Sequence, residues 1–401
     1  MKYDFTTKLE RIGHDALAVD APYNYQAPFD SIQRKEGFSI IPMWIADMNF
    51  PVYPNIQKSI IERVNHPTFG YYSIRDEYYE AIINWHKNRY GIEYIQKENI
   101  GYENGVLGGL LSALSILAKP GDSVLLHSPT YIGFTMSIKN AGYNIIHSNL
   151  KFEDTWRIDY QDMEEKIQKN HIQVAIFANP HNPCGRAWEK EELEKLMAIF
   201  EKYHVYVISD EIWADLYLYN NKHIPLHSLN EYAKQHTISL YAPSKTFNLS
   251  GLIGAYHIIF NDYLHKRILK ASSKSHYNSM NVLSMHALIG AYDKDGAIWV
   301  DELKAVLTQN MDYATQFIDE HFQGVRYAKP QATYMLYLDC KDYCEKNQIT
   351  IDTLLERAYS VGVYFQDGRP FNLDHSIRIN LALPYETIKE AFNRLKDYVF
   401  I

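Results

Sequence analysis

Three side chains with useful chemistry each follow a short β-rich run of the sequence: Asp210, Asn182 and Lys245. A carboxylate such as Asp210 can pair with a protonated ring nitrogen, and an amide such as Asn182 can donate to a phenolate-like oxygen. A lysine that leaves a buried strand among small and apolar residues is partly desolvated, which lowers its pKa and frees its amine. Each has an ordinary alternative: a helix N-cap for Asp210, a tight turn for Asn182 and an exposed loop for Lys245.

A glycine-rich segment could bind a phosphate. Residues 103–109 hold three glycines and open a predicted helix, so the free backbone N–H groups around Val106 and Leu107 make a ready anion site. The segment matches neither the dinucleotide fingerprint nor a P-loop, and the motif is weak by itself.

Tyr131 and Arg378 could contact a ligand from other parts of the chain. Tyr131 follows a strand and begins the next helix, where its ring could lie flat against a ligand or simply fill the core. Arg378 alternates with apolar Ile377 and Ile379, which predicts a half-buried strand with the arginine on its polar face. There it could bind a carboxylate through two hydrogen bonds, or remain a solvated edge-strand residue.

A sheet is needed to bring these residues together, and the middle of the chain predicts one. The predicted strands are Ser123–His127, Tyr143–His147, Gln173–Ala178, His204–Ser209, Thr237–Tyr241 and Tyr256–Phe260. Helix-patterned segments such as Val106–Leu117 and Glu189–Tyr203 alternate with them. This alternation predicts an α/β fold with a mostly parallel sheet sandwiched by helices, and ligands at the carboxyl ends of the strands.

The two ends of the chain have different patterns. The last hundred residues predict a smaller α+β domain, with helices at Trp299–Phe322 and Thr350–Val361 and strands at Thr333–Asp339 and Ser376–Leu383. The first 50 residues show no long periodic element, and we expect them to pack as an arm against that small domain. The expected units are therefore an arm at 1–50, a large domain at 51–289 and a small domain at 290–401.

Composition narrows the class of protein. The 401 residues carry a net charge of −8, which argues against a nucleic-acid or anionic-membrane partner. No apolar run approaches the ~20 residues of a membrane helix, and the first residues do not resemble a secretory signal. The three cysteines form no metal-binding or redox motif, so we expect a cytoplasmic protein without a metal site.

Taken in order, these motifs resemble the class I/II aminotransferase superfamily, which is pyridoxal-5′-phosphate (PLP) fold type I. The resemblance covers residues ~40 to ~385 and includes Asn-Pro-x-Asn-Pro-x-Gly at 179–185 and Ser-Lys-Thr-Phe-Asn at 244–248. Within the superfamily, Pro42–Met48, His66–Tyr71 and Thr333-Tyr334 are most similar to the cystathionine β-lyase, or cysteine-S-conjugate β-lyase, group.

The resemblance implies a role for each residue. Lys245 would carry PLP as a Schiff base and later move the Cα proton of the substrate. The residues around the cofactor would be Asp210 at the pyridine nitrogen, Asn182 at the ring hydroxyl, Tyr131 stacked on the ring and also catalytic, and Trp213, Ser244, Val106 and Leu107 in contact with ring or phosphate. Arg378 would bind the substrate carboxylate beside Ala46 and Asp47. Tyr71 would reach the phosphate of a partner subunit, which implies a homodimer with shared active sites.

Some positions depart from the family pattern. Trp213 stands where many aminotransferases have a tyrosine that bonds the ring oxygen, and indole can donate but not accept. Ala242 and Ile253 replace a frequent phosphate-binding serine and arginine, while Cys184 and Asn49 differ from the commonest residues there. The phosphate contacts are therefore the least defined part of the prediction.

Three activities are compatible with this pattern. The first is a carbon–sulfur β-lyase that cleaves S-substituted cysteines to a thiol, pyruvate and ammonia. The second is an amino acid aminotransferase, which shares the same residues and needs an oxo-acid acceptor. The third is a PLP-binding regulator without turnover, although such regulators usually carry a DNA-binding region, which we do not expect ahead of Tyr3. The absence of an arginine at position 253 favours the lyase.

Overall fold

The computed structural model describes residues 1–274 and 276–401. Its strands are β1 Ile41–Met43, β2 Ile100–Glu103, β3 Ser123–Ser128, β4 Asn144–Asn149, β5 Lys151–Phe152, β6 Trp156–Arg157, β7 Val174–Ala178, β8 Tyr206–Asp210, β9 Thr237–Tyr241, β10 Ala255–Ile258, β11 Met335–Asp339, β12 Val363–Asp367 and β13 Ser376–Asn380. Its helices are α1 Leu17–Tyr23, α2 Pro54–Val64, α3 Asp76–Tyr90, α4 Val106–Leu117, α5 Ile132–Asn140, α6 Tyr160–Asn170, α7 Lys190–Tyr203, α8 Glu231–His236, α9 Asp262–Ser273, α10 Val282–Ala291, α11 Lys294–His321, α12 Lys341–Asn347, α13 Ile351–Ser360 and α14 Tyr385–Tyr398.

The larger sheet has the strand order β2-β10-β9-β8-β7-β3-β4. The run from β9 to β4 is parallel, and β10 is antiparallel to both β9 and β2. Strands β7 and β9 are buried at every position, as expected for central strands covered on both faces. The predicted mostly parallel α/β sheet is confirmed.

Helix α4 packs closely on this sheet and matches the predicted helix 106–117. It begins after Gly105, which has a φ of +78° that glycine adopts without strain. A Cβ at Gly109 would lie 2.9 Å from a methyl of Leu240 in β9, so only glycine allows this close approach. The amino end of α4 is thereby fixed beside the carboxyl ends of the parallel strands.

The smaller sheet has the order β1-β12-β13-β11, so β13 is an interior strand. All five of its residues are buried, and the expectation of a half-buried strand is wrong. The reason is that β13 pairs with β11 and β12 on its two sides, while Arg378 is covered by contacts with Asn182 and the backbone of Trp44.

The first 50 residues contact elements near the carboxyl end of the chain. Strand β1 pairs in parallel with β12, and Arg394 of α14 donates to the backbone oxygen of Ser39 at 2.7 Å. The backbone N–H groups of Lys2 and Tyr3 donate to the carboxylate of Glu302 in α11. These contacts join the first 50 residues to β12, α14 and α11.

Candidate active site

A cavity of about 240 Å³ lies at the carboxyl ends of the parallel strands. The residues that follow β3, β7, β8 and β9 form its walls, together with the start of α4. Among the residues predicted from the sequence, it is lined by Ala46, Val106, Leu107, Tyr131, Asn182, Asp210, Trp213, Ser244 and Lys245. The remaining three, Arg378, Asp47 and Tyr71, lie outside the cavity lining.

Lys245 lies in the turn after β9 and is partly buried. Its Nζ donates to the backbone oxygen of Ala46 at 2.7 Å and lies 5.8 Å from the ring centroid of Trp213. Burial and the nearby charge of Arg378 lower the pKa of Lys245 to about 8, although the carboxylates of Asp47 and Asp210 oppose the shift. A sizeable fraction of the amine is therefore neutral near physiological pH, as a nucleophile or base requires.

Asp210 is the last residue of β8 and is only 7% exposed. Its Oδ1 accepts a hydrogen bond from the backbone N–H of Ile212 at 3.1 Å, and residues 212–215 form a turn, so it does not cap a helix. Burial raises the pKa of Asp210 to about 7. A buried carboxyl with this pKa would be stabilised in its charged form by a cationic partner in the cavity, such as a protonated pyridine nitrogen.

Asn182 and Arg378 are in direct contact. Arg378 Nη1 donates to Asn182 Oδ1 at 3.2 Å, which leaves the Nδ2 of Asn182 available to donate to another group. The guanidinium also lies 4.5 Å from the ring centroid of Phe371. Arg378 is 4% exposed, so the alternative of a solvated edge-strand arginine is wrong.

Arg378 is a buried cation without a counter-ion among the described residues. Burial lowers the pKa of Arg378 to about 10, and its Nε is enclosed without a hydrogen-bond partner among the described residues. Both features identify a place where an anion would gain a charge-assisted hydrogen bond. A planar carboxylate suits this site.

Tyr131 is held at one wall of the cavity. It is the residue before α5, and its ring packs edge-on against Phe134 at a centroid distance of 5.3 Å. A Cβ at Gly133 would clash with the Tyr131 ring, so only glycine at position 133 leaves room for the ring in this position. Burial raises the pKa of Tyr131, which keeps its hydroxyl protonated as a donor.

Backbone amides line the end of the cavity near α4. No side chain caps the start of this helix, so the N–H groups of Val106 and Leu107 remain available to an anion. Ala242 is buried and Ile253 is 53% exposed, and neither can hydrogen-bond a phosphate through its side chain. The donors that line this part of the cavity therefore include the α4 amides, Ser244, Ser250 and Asn104.

Three residues of this region were not singled out from the sequence as site residues: Arg11, Asn248 and Asn380. Arg11 forms an ion pair with Asp47 at 2.6 Å, which directs the Asp47 carboxylate away from the cavity lining. Asn248 and Asn380 hydrogen-bond the backbone on either side of Ala46. Asn248 stands in the Ser-Lys-Thr-Phe-Asn motif that supported the family resemblance, and Asn380 stands two residues after Arg378 in the same strand, while no local pattern marks Arg11.

Tyr71 lies in the segment between α2 and α3, and its side chain is fully exposed. Neighbouring Tyr72 donates to the backbone oxygen of Met280 at 2.6 Å, which holds this segment against the start of α10. The Tyr71 hydroxyl is thus free to contact another molecule.

The part of the chain that the structure describes contains no group of three or more histidine, cysteine or acidic side chains that could hold a metal ion. None of its helices combines the length and apolar character needed to cross a bilayer.

The sequence profile of the family "Aminotransferase class I and II" matches residues 43–395. The chain belongs to this family. It is 32% identical to cystathionine beta-lyase PatB of Bacillus subtilis over 98% of this chain and 99% of that protein. The crystal structure of the PLP-bound C-S lyase from Staphylococcus hominis superposes with a TM-score of 0.88 at 29% identity, covering 100% and 99% of the two chains. Cystalysin from Treponema denticola, which contains PLP, gives a TM-score of 0.90 at 28% identity over 99% and 98%.

A phosphorylated pyridine fits the residues present. Lys245 and the buried carboxyl of Asp210 line the same cavity, as an amine-bound pyridine with a charged ring nitrogen requires. The uncapped amides of α4 provide a place for its phosphate, and the free Nδ2 of Asn182 provides a donor for its ring oxygen.

Proposed function

We propose that this member of the class I/II aminotransferase family is a PLP-dependent carbon–sulfur β-lyase. It would cleave S-substituted cysteines, such as cystathionine, to a thiol, pyruvate and ammonia. The observation that carries the proposal is that Lys245 lines one cavity with a buried carboxyl, Asp210, near the buried Arg378, which has no counter-ion among the described residues. The full-length similarity to a cystathionine beta-lyase and to PLP-bound C-S lyases supports the choice of reaction.

The residues around the cofactor have distinct proposed roles. Lys245 binds it covalently, Asp210 pairs with its ring nitrogen and Asn182 donates to its ring hydroxyl. Tyr131 packs on the ring, Trp213 borders it near Lys245, and Ser244 with the amides of Val106 and Leu107 binds the phosphate. When bound, the cofactor withdraws electrons from Cα of the substrate and so acidifies the Cα–H bond.

Arg378 and Lys245 act on the substrate. The guanidinium binds the α-carboxylate and orients the amino acid, with the backbone of Ala46 and Asp47 alongside. The neutral amine of Lys245 accepts the Cα proton, and the Cβ–S bond breaks with its electron pair leaving on sulfur. One water is consumed as the remaining carbon skeleton yields pyruvate and ammonia. Tyr131 and Lys245 are the donors beside the cavity that can return a proton to the leaving thiolate.

The alternative is transamination by the same residues. Position 253 favours elimination, because exposed Ile253 offers no charge to a cofactor phosphate or a second carboxylate. The named relatives also support the lyase over the aminotransferase. A PLP-binding regulator without turnover is disfavoured by the same enzymatic relatives.

A pyruvate-release assay tests the reaction. The PLP-loaded protein is given cystathionine, cystine or alanine, each with and without 2-oxoglutarate. We expect pyruvate from both sulfur substrates without any oxo acid, together with a thiol from cystathionine and a persulfide from cystine, and no pyruvate from alanine alone. Pyruvate that forms only when 2-oxoglutarate is present would identify an aminotransferase instead.

We propose that the active unit is a homodimer with shared sites. Several large apolar and aromatic side chains are exposed, including Tyr71, Phe69, Tyr277 and Ile253, and Ile253 also lines the cavity. A second copy would cover them, and its Tyr71 would reach the cofactor phosphate of the first.

Mixed dimers test this arrangement. Tyr71→Ala and Lys245→Ala should each be poorly active alone. Co-expression should restore about a quarter of the wild-type activity, because half of the dimers are mixed and each has one complete site. No recovery in verified mixed dimers would exclude a contribution of Tyr71 across the interface.

The domain bounds and the compartment are also proposals. We assign residues 1–50 to an arm, 51–289 to a large PLP-binding domain and 290–401 to a small domain, supported by the pairing of β1 with β12. The three cysteines are all free thiols, which is compatible with a reducing cytoplasm.

A further inference from the structure

The loop Ile45–Met48, which follows β1, is held by the side chain of Asn248. The backbone N–H of Met48 donates to Asn248 Oδ1 at 3.0 Å, and Asn248 Nδ2 donates back to the oxygen of Met48 at 2.9 Å. Asn248 has a φ of +58°, in the left-handed region that asparagine tolerates better than most residues. It stands three residues after Lys245, so this pair of bonds ties the loop to the turn that carries the amine.

Asn380 holds the same loop from the other sheet. Its Nδ2 donates to the oxygens of Ile45 and Asp47, at 2.8 and 2.6 Å, while its Oδ1 accepts from the N–H of Ala382 at 2.8 Å. Asn380 is buried at the end of β13, two residues after Arg378. The loop is therefore tied to the strand that carries the buried arginine.

The carbonyl of Ala46 lies between these contacts. The oxygens of residues 45, 47 and 48 accept from the two asparagines, and that of Ala46 accepts from Lys245 Nζ at 2.7 Å. Because the carbonyls of the neighbouring residues 45, 47 and 48 are held by these hydrogen bonds, the direction of the Ala46 carbonyl is fixed. An amine that donates one N–H to a fixed acceptor has fewer orientations for its lone pair.

We propose that Asn248 and Asn380 are positioning residues that aim the amine of Lys245 through the carbonyl of Ala46. The inference rests on the proposed function, because it applies to the part of the reaction in which Lys245 is a free amine and accepts the Cα proton. The two asparagines come from opposite sheets, so the position of the amine depends on both the Lys245 turn and the Arg378 strand. Neither side chain needs to touch the substrate.

Two variants separate this role from simple stability. Asn248→Gly removes both bonds to Met48, and glycine tolerates the positive φ at this position. Asn380→Ala removes the bonds to residues 45 and 47. The matched control is Asn310→Ala, since Asn310 is buried and donates two 2.8 Å bonds to the oxygens of Leu381 and Leu383, neither of which belongs to the 45–48 loop.

Steady-state kinetics of the PLP-loaded variants gives the first readout. We expect Asn248→Gly and Asn380→Ala to lower kcat by about 10- to 100-fold, because a misplaced base costs rate. Their KM should change by less than about threefold, since Arg378 is retained. Asn310→Ala should lose comparable thermal stability yet keep kcat. Equal kcat values in all three variants and the wild type would overturn the proposal.

The second readout does not require turnover. In the cofactor-free full-length protein, the pH dependence of acylation at Lys245, followed by peptide mass spectrometry, reports the pKa of its amine. Loss of the Ala46 acceptor should lower this pKa, because burial and Arg378 still disfavour the ammonium while Asp47 and Asp210 remain in place. A pKa unchanged from wild type and Asn310→Ala would contradict the positioning role, even if the lyase assay itself had failed.

Discussion

The cofactor side and the substrate side of this site are built in different ways. The cofactor side is built on one sheet, where Asp210, Asn182 and Lys245 lie at or just after the carboxyl ends of parallel strands. The start of α4 lies beside them. On the substrate side, Arg378 comes from the other sheet and is enclosed by Asn182, Phe371 and the backbone of Trp44. The strand order of one sheet determines the positions of the cofactor-side residues, whereas the position of Arg378 depends on how the two sheets pack together.

This difference predicts how variants should behave. Changes on the cofactor side should remove the chemistry and affect every substrate. Changes on the substrate side should mainly weaken the binding of amino acids and spare the cofactor.

Lys245→Ala should lower pyruvate release by at least about 10³-fold, because both the covalent attachment and the base are lost. The visible absorbance of the lysine-bound cofactor should disappear as well. The control is Lys304→Ala, another partly buried lysine with a lowered pKa that lies outside the cavity. A residual rate near wild type would remove Lys245 from the mechanism.

Asp210→Asn should lower kcat by about 10²- to 10³-fold, because a neutral amide cannot stabilise a protonated ring nitrogen. The protein should still bind PLP covalently, since Lys245 and the α4 amides are unchanged. The measurement is kcat combined with the absorbance spectrum. Activity within a few-fold of wild type would contradict the pairing of Asp210 with the ring.

Arg378→Ala should raise KM for amino acid substrates by about 10- to 100-fold with a smaller change in PLP affinity. It should also raise the pKa of Lys245 above about 8, because Arg378 is one of the charges that lower it. Acylation of Lys245 in the cofactor-free protein would then begin at higher pH. Arg394→Ala, another buried arginine that donates to backbone oxygens, controls for lost stability. An unchanged KM would exclude a carboxylate site at Arg378.

Trp213→Phe should cost the least, about a two- to tenfold loss of kcat/KM. The ring contact with Tyr334, at a centroid distance of 4.7 Å, can be kept by phenylalanine, and only the indole N–H is lost. Asn182→Ala should cost more, because Asn182 contacts Arg378 and also has a free donor facing the cavity. A larger loss in Trp213→Phe than in Asn182→Ala would mean that the indole is the main donor to the ring oxygen.

The same contrast explains what the sequence could predict. Strand β9 and helix α4 coincide with their predicted bounds, because continuous apolar runs and a glycine start are local signals. The burial of Arg378 was not predicted. The apolar residues Ile377 and Ile379 on either side of it indicate one buried face of the strand, but they do not show what covers the opposite face, on which Arg378 lies. Short strands such as β1 and β12 were missed because their pairing with each other, between positions 41 and 363, is non-local.

The site residues could likewise be predicted where a local sequence signal marked them. Asp210 ends β8 and Lys245 lies in the turn after β9, and both were found, whereas the ion pair of Arg11 with Asp47 joins two loops without a pattern. The roles of Asn248 and Asn380 become visible only when the 45–48 loop is seen between them.

Borohydride reduction of the PLP-loaded protein tests the central claim most directly, because it fixes the cofactor to the amine that carries it. After digestion, peptide mass spectrometry should find one reduced pyridoxyl group, located on Lys245, with loss of the visible absorbance. A protein that stays colourless in excess PLP, or a label that maps to another lysine, would contradict the account.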